Sequence, residues 1–520
     1  MQRNRWPGQP ALKKGRDAVV RDAGPHFQAE AFQVIRNELR SPHFAIGELG
    51  MLVNILRPFD HSGLDRVREF IELRLVDRRG ERGSRGRQKG GRHWHAQRYF
   101  HLYAFFHEVL LQSAHAGRSA QPVLPKRCNA GPKLAAASGM HLVDTTLFYS
   151  PTSGGVKRYL TAKHAWLTAN TSWKHSILVP GEVEHLDPGN TSTIPGQPWP
   201  GTFNYRLPLN PRQWTRMLDR LEPDIIEAGD AFHPAWCAWR VAKRRRIPLV
   251  AFYHSNMPQI IARRIGHPTE RVLSRYVRWL YERCDAVFAP SRYMCGYLNS
   301  IGVHHTVYQP LGVDANVFHP SRRTLDLRHR LGLPRNARLL VFAGRFSGEK
   351  NLNVLLYAFA RLGAPYHLLL IGGDRYARPN SNVTMIPYRR DSHELAQWIA
   401  SCDALVHAGA KETFGLVLLE AMACGRPVIA ARASAVPEIV DENVGVLAEP
   451  CNGESMAEAI RELYERDIET IGAAARARIL KHFTWTQAFT AEVNAYTSLV
   501  SSGRARVRRL PAIQLDSPTS

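Results

Sequence analysis

From residue 141 onward, short apolar runs alternate with stretches whose apolar residues recur every three or four positions. The runs HLVDTTLFY (141–149), HSILVP (175–180), PDIIEAGD (223–230), PLVAFYHSN (248–256) and DAVFAPS (285–291) predict strands of a mostly parallel sheet, and HTVYQPLGVD (305–314) leads out of that unit. After SPTSGG, Val156, Tyr159, Leu160 and Leu167 share one face of a predicted helix, and QIIARRIGHPTERVLSRYVRWLYERC (259–284) reads as one long basic helix. A polar link (319–337) precedes a second round of alternation. Its strands are RLLVFAGR (338–345), YHLLLIGG (366–373), NVTMIPY (382–388), ALVHAG (404–409) and PVIAA (427–431), with NLNVLLYAFARL (351–362) a helix between the first two. FTWTQAFTAEVNAYTSLV (483–500) predicts a last helix.

Strand–helix alternation of this kind gives an α/β chain with two Rossmann-like, doubly wound domains, at 140–315 and 316–482, facing each other across a cleft. In such sheets ligands bind beyond the carboxyl ends of the strands. Candidate chemistry is therefore sought in the segments that follow strands.

Composition changes the picture at the ends of the chain. Of a formal net charge of +24, half resides in residues 1–139, which carry 24 Lys and Arg against 12 Asp and Glu. Met140 directly precedes the first predicted strand, so 1–139 is expected to be a basic, poorly ordered extension ahead of an internal start, and 501–520 a disordered tail. The arginines of the extension come without interleaved aromatic motifs, which argues against nucleic acid as a partner and keeps nucleic-acid binding only as an alternative function. The amino end lacks the apolar stretch of a secretory signal, and no run of about 18 apolar residues offers a membrane span. The seven cysteines form no C-x-x-C pair. Reduced thiols and a cytoplasmic location follow as expectations.

Three post-strand segments carry chemistry. Gly154-Gly155 lies between a strand and a helix, where free N–H groups meet an anion. Arg345 and Lys350 end the strand and loop FAGRFSGEKN, placed to hold a diphosphate. KETFGLVLLEAMACGRPVIA (411–430) contains two acidic residues, Glu412 and Glu420, eight positions apart in apolar surroundings. With a helix predicted from Leu416 to Cys424, Glu412 lies just before the helix tip and Glu420 one turn inside. Carboxylates in such a setting need partners, and sugar or ribose hydroxyls would serve.

The E-x7-E spacing followed by AMACGRPVIA, together with GGV, AGR…EKN and PLGVD, resembles the GT4 family of retaining glycosyltransferases, which have the GT-B fold. The resemblance runs from about residue 140 to 500. It implies a hexosyltransferase of the EC 2.4.1 type that moves a hexose, with retained anomeric configuration, from a nucleotide diphosphate sugar such as GDP-mannose or a UDP-hexose. The second domain would bind the donor and the first the acceptor. By the same resemblance Glu412 contacts the donor sugar and Glu420 the ribose diol. Phe414, Gly415 and Leu416 offer backbone N–H groups, Arg345 and Lys350 clamp the diphosphate, and Gly154 and Gly155 approach it from the opposite domain. His254 would lie at the reaction centre and Asp230 on the acceptor side.

With no D-x-D motif, neither metal nor cofactor is expected, and the cations and helix end would neutralise the leaving diphosphate. The departing phosphate would take the proton of the acceptor hydroxyl on the same face. Arg263, Arg264, Arg271, Arg275 and Arg278 mix with apolar residues along 259–284, with VAKRRRIP nearby. This suggests a peripheral position on the anionic inner face of the plasma membrane and a lipid-linked or envelope-glycan acceptor, as in glycolipid biosynthesis by a mannosyltransferase. A soluble small-molecule acceptor is the alternative.

Overall fold

A computed structural model describes residues 139–150, 154–198, 205–208, 210–266, 268–324, 326–373 and 381–501, all within one compact unit. The expectations for 1–138 and 502–520 lie outside the described residues.

The first domain holds β1 (His141–Thr145), β2 (Lys174–Gly181) and β3 (Thr191–Pro195), with a two-stranded ribbon of β4 (Gln197–Pro198) and β5 (Arg206–Leu207) beside them. It continues with β6 (Ile225–Ala228), β7 (Leu249–Phe252), β8 (Ala286–Ala289) and β9 (Thr306–Tyr308). The main sheet has the order β3-β2-β1-β6-β7-β8-β9 and is parallel throughout. The second sheet holds β10 (Arg338–Ala343), β11 (Tyr366–Ile371), β12 (Val383–Ile386), β13 (Ala404–His407), β14 (Val428–Ala431) and β15 (Gly445–Ala448). Its order is β12-β11-β10-β13-β14-β15, again parallel. Strand order therefore reverses between β1 and β6 in one sheet and between β10 and β13 in the other, and each reversal opens a crevice at the carboxyl ends. The central strands are buried on both faces, as helix-covered parallel sheets require.

The helices are α1 (Gly155–Asn170), α2 (Pro211–Arg220), α3 (His233–Arg245), α4 (Met257–Ile265), α5 (Pro268–Tyr281), α6 (Arg292–Ser300), α7 (Leu327–Arg330), α8 (Leu352–Leu362), α9 (Ser392–Ala400), α10 (Leu416–Ala423), α11 (Gly453–Tyr464), α12 (Ile468–His482) and α13 (Trp485–Ser501). One expectation is corrected. The stretch 259–284 is not a single helix, because Gly266 takes φ +130° and Pro268 opens a new helix. A glycine in that conformation followed by proline ends a helix whatever the surrounding periodicity.

The last helix belongs to the first domain's core rather than standing apart. The outgoing strand segment and the returning one run side by side, Val313 N–H donating to the Phe483 carbonyl at 2.9 Å. A Cβ on Gly312 would lie 2.5 Å from the Trp485 nitrogen, so the crossing needs a residue without one. Beyond it, α13 closes a buried polar cluster beneath α1. Lys163 Nζ donates to Asp144 Oδ1 (3.1 Å), Glu227 Oε1 (3.0 Å) and the Tyr496 hydroxyl (2.9 Å), with Glu492 Oε2 at 3.5 Å. Burial works against the Lys163 charge, but Asp144, Glu227 and Glu492 reverse this and hold it protonated. One cation faces three carboxylates, and the excess is relieved by a proton: burial, then Glu227 and Asp144 against the pull of Lys163, push Glu492 up to about 8.

Candidate active site

The two order reversals place the tips of four helices at the crevice. Among the helices whose starts are characterised, most are capped by a side chain: Asn210, Asn256, Ser291, Asp326, Asp391, Asn452 and Asp467 each accept N–H bonds from their own helix. The four without such a cap are α1, α3, α8 and α10. These follow β1, β6, β10 and β13, the strands that flank the two reversals. Uncapped helix starts leave N–H donors and the positive dipole end available to an anion.

Two of these tips face each other. A Cβ on Gly155 would be 3.4 Å from Leu416 Cδ1, so the glycine turn of α1 abuts the first residue of α10. Gly415 starts α10 at φ +101°, a conformation that side chains resist. Phe414 is buried, with its ring against Phe483.

Glu412 sits four residues before α10. Its Oε1 receives His407 Nε2–H at 2.9 Å and also pairs with Lys350 Nζ. Burial by itself would raise its pKa, but Lys350 and then His407 overcome this and hold the carboxyl well below the usual range. Glu412 is therefore an anion at any physiological pH. His407 is the last residue of β13, stacked parallel to Phe342 with ring centroids 5.9 Å apart. Gly409 makes room for the pair: a Cβ there would be 2.7 Å from His407 Nε2 and 3.0 Å from Glu412 Oε1. Gly409→Ala is expected to displace both side chains while leaving the apolar core intact. The expected loss in kcat/KM is about 10²-fold, the scale of a misplaced reactive group, checked by steady-state kinetics beside a melting curve.

Glu420 lies one turn inside α10, 2% exposed, and pairs with Arg158 from the first turn of α1. Arg345, two residues after β10, hydrogen-bonds the Tyr205 hydroxyl of the first domain. Thr413 Oγ1 donates to the His254 carbonyl at 3.0 Å, and Ser291 Oγ donates to the Thr413 carbonyl at 2.8 Å. The Glu438 carboxylate accepts N–H bonds from Arg292 and Tyr293, each 2.7 Å, at the start of α6. The loop before α10 is thus bound to both domains.

The His254 ring stacks on Phe252, with centroids 4.0 Å apart and planes within 5°, and meets Tyr159 at 4.8 Å. Burial pulls its pKa down to about 3, so it presents a neutral imidazole. Asp230 is placed differently from an open acceptor contact. Its Oδ2 accepts from Thr146 Oγ1 (2.8 Å) and the Leu147 N–H (2.6 Å), and its Oδ1 from the Phe232 N–H (2.9 Å). It ties the loop after β1 to the loop after β6.

The structure therefore brings Gly155 against Leu416, Arg158 onto Glu420 and Lys350 onto Glu412, and ties the His254 backbone to Thr413, while the His254 ring is buried against Phe252 and Tyr159. His407, Arg158, Tyr205 and Glu438 were not singled out in the sequence. His407 had a signal, a lone imidazole ending an apolar strand five residues before Glu412. The other three are recognised by partners more than 100 residues away.

Comparison with known proteins places the chain in a family. The family profile described as Glycosyltransferase Family 4 matches residues 153–317, and that described as Glycosyl transferases group 1 matches 324–478. A GDP-mannose-dependent alpha-(1-6)-phosphatidylinositol dimannoside mannosyltransferase of Mycobacterium tuberculosis is 30% identical over 368 residues, covering 67% of this chain and 94% of that protein. Among solved structures, the sucrose-phosphate synthase of Thermosynechococcus elongatus superposes with TM-score 0.60 at 22% identity, over 70% of this chain and all of that one. Anabaena HepE in complex with UDP-glucose gives 0.56 at 21%, over 69% of this chain and all of that one. Two parallel, doubly wound sheets with a shared cleft are the GT-B architecture, and the chain belongs to the GT4 family of glycosyltransferases.

Proposed function

We propose that this glycosyltransferase moves a hexose, with retention, from a nucleotide diphosphate sugar to a lipid-linked or envelope-glycan acceptor, without a metal. The observation that carries the proposal is the fixed anion Glu412, held by Lys350 and His407 where uncapped helix tips converge. A carboxylate accepts bonds from sugar hydroxyls, while helix N–H groups and cations favour a diphosphate. In this assignment Glu412 orients the sugar and Glu420 the ribose diol. Arg345, Lys350 and the N–H groups of Phe414, Gly415 and Leu416 stabilise the leaving diphosphate, and Gly154-Gly155 closes on it from the first domain.

His254, neutral at working pH, serves as a hydrogen-bonding group beside the sugar rather than as a proton donor of imidazolium type. The departing phosphate takes the acceptor hydroxyl's proton. Asp230 acts by fixing the two loops that border the acceptor side. The relative's dependence on GDP-mannose supports that donor first, with UDP-hexoses next. Incubation of purified protein with GDP-mannose and UDP-glucose tests this: GDP or UDP release, with an α product from an α donor, is expected. Release of neither nucleotide would contradict it.

No described helix is long and apolar enough to cross a membrane. A peripheral position is supported by the face shared by α3 and α5. There Arg283 lies 3.9 Å over the Trp279 ring and Lys243 5.5 Å over Trp239, with Arg244, Arg245, Arg246, Arg271 and Arg278 exposed. Interfacial tryptophans with basic neighbours suit an anionic lipid surface. The protein is expected to co-sediment with vesicles containing phosphatidylserine and to be released by high salt. Equal binding to purely zwitterionic vesicles, or none to either, would remove the membrane from the proposal.

A further inference from the structure

We propose that Arg158 is an internal occupant of the ribose subsite: with no nucleotide bound its guanidinium holds Glu420, and the donor's ribose displaces it. The inference rests on the donor site proposed above. Glu420 stands in a helix whose residues from Leu418 to Ala423 are all buried, and is itself 2% exposed. A carboxylate so placed needs a compensating partner, in the empty protein as well as the loaded one. The partner present is Arg158, which reaches over from the opposite domain and is 30% exposed. It stands one turn into α1, whose Gly155 start abuts Leu416. The Arg158 side chain is long and flexible and keeps 30% of its surface in solvent, whereas Glu420 is fixed in a packed helix. Arg158 sits on Oε1 of the carboxylate that would accept two vicinal hydroxyls, so the ribose needs that oxygen vacated. Nucleotide binding therefore breaks one cross-cleft ion pair, and Arg158 guards a buried charge that would otherwise destabilise the empty enzyme.

Removing Arg158 should raise the free energy of the empty state more than that of the loaded one. Arg158→Met, which keeps the apolar stem, is expected to melt at a lower temperature when empty and to regain most of that difference with saturating GDP or UDP. Its Kd for whichever nucleotide the wild type binds should fall about tenfold, the scale of one charge-assisted hydrogen bond. Arg158→Gln should change Kd in the same direction by less. In a Glu420→Gln background the substitution should leave Kd unchanged, since Arg158 acts through that carboxylate. Equal melting losses with and without nucleotide, or an unchanged or weaker Kd in the variants, would overturn the inference while leaving the donor site standing. A wild type that binds neither GDP nor UDP would overturn the donor site, and this inference with it.

Discussion

Glu412→Gln is expected to lower kcat by about 10² to 10³-fold, the size of losing one preorganised electrostatic contact, with a folded protein remaining. The amide keeps shape and can still bond His407, but it removes the charge that Lys350 and His407 converge on. Lys350, 18% exposed, then loses its anion yet can reach water, so the stability loss should be modest, about 1–3 kcal/mol. The pH dependence has a definite sign. The folded-state pKa of Glu412 lies below its ordinary 4.5, so its contribution is fully present above pH 4.5 and is lost as pH falls toward the folded value. Melting curves of wild type and variant should differ at pH 7 and converge in acid. A variant with near-normal turnover would deny Glu412 its place at the reacting sugar.

Lys163→Met should destabilise the protein by about 3–5 kcal/mol, because it strips the cation from Asp144, Glu227 and Glu492 in a buried site. The effect should appear as a large drop in melting temperature, with loosening of α13, whose Glu492 and Tyr496 the lysine binds. Glu492→Gln gives the complementary result. Burial, with Glu227 and Asp144, pushes Glu492 up to about 8, so between pH 4.5 and 8 the folded chain keeps a proton that the unfolded chain has released. That contribution is complete below pH 4.5 and is lost as pH rises through the window. Wild-type stability should fall from this source toward pH 8, and the Gln variant should show a flatter profile. A Lys163→Met protein that melts like wild type would show the cluster to be energetically idle.

Much of this architecture is legible in the chain, and what escapes it does so for identifiable reasons. Central strands such as Arg338–Ala343 and Ala404–His407 are continuous apolar runs because both faces are covered, and α10 begins at the predicted Leu416. Of the unpredicted strands, Thr191–Pro195, Thr306–Tyr308 and Gly445–Ala448 lie at a sheet edge, and Gln197–Pro198 and Arg206–Leu207 form a separate ribbon of two residues a strand. The break at Gly266 was written in the sequence as Gly-His-Pro, but the apolar periodicity on either side obscured it.

The site divides similarly. Glu412 and Glu420 stand out because carboxylates are costly in apolar surroundings. Lys163 shows a comparable anomaly, a lysine at the helical spacing of Tyr159 and Leu167, yet its partner Glu492 lies more than 300 residues away. Lys350 is legible as a cation near the diphosphate position, while its bond to Glu412 emerges only from the folded geometry.

Crystals grown with GDP or UDP and the matching hexose donor test the central claim most directly. The account predicts the nucleotide between the tips of α1 and α10, with the ribose hydroxyls on the Glu420 carboxylate, Arg158 moved away, and the sugar within hydrogen-bond distance of Glu412. A nucleotide bound outside this cleft, with Arg158 still on Glu420, would contradict it.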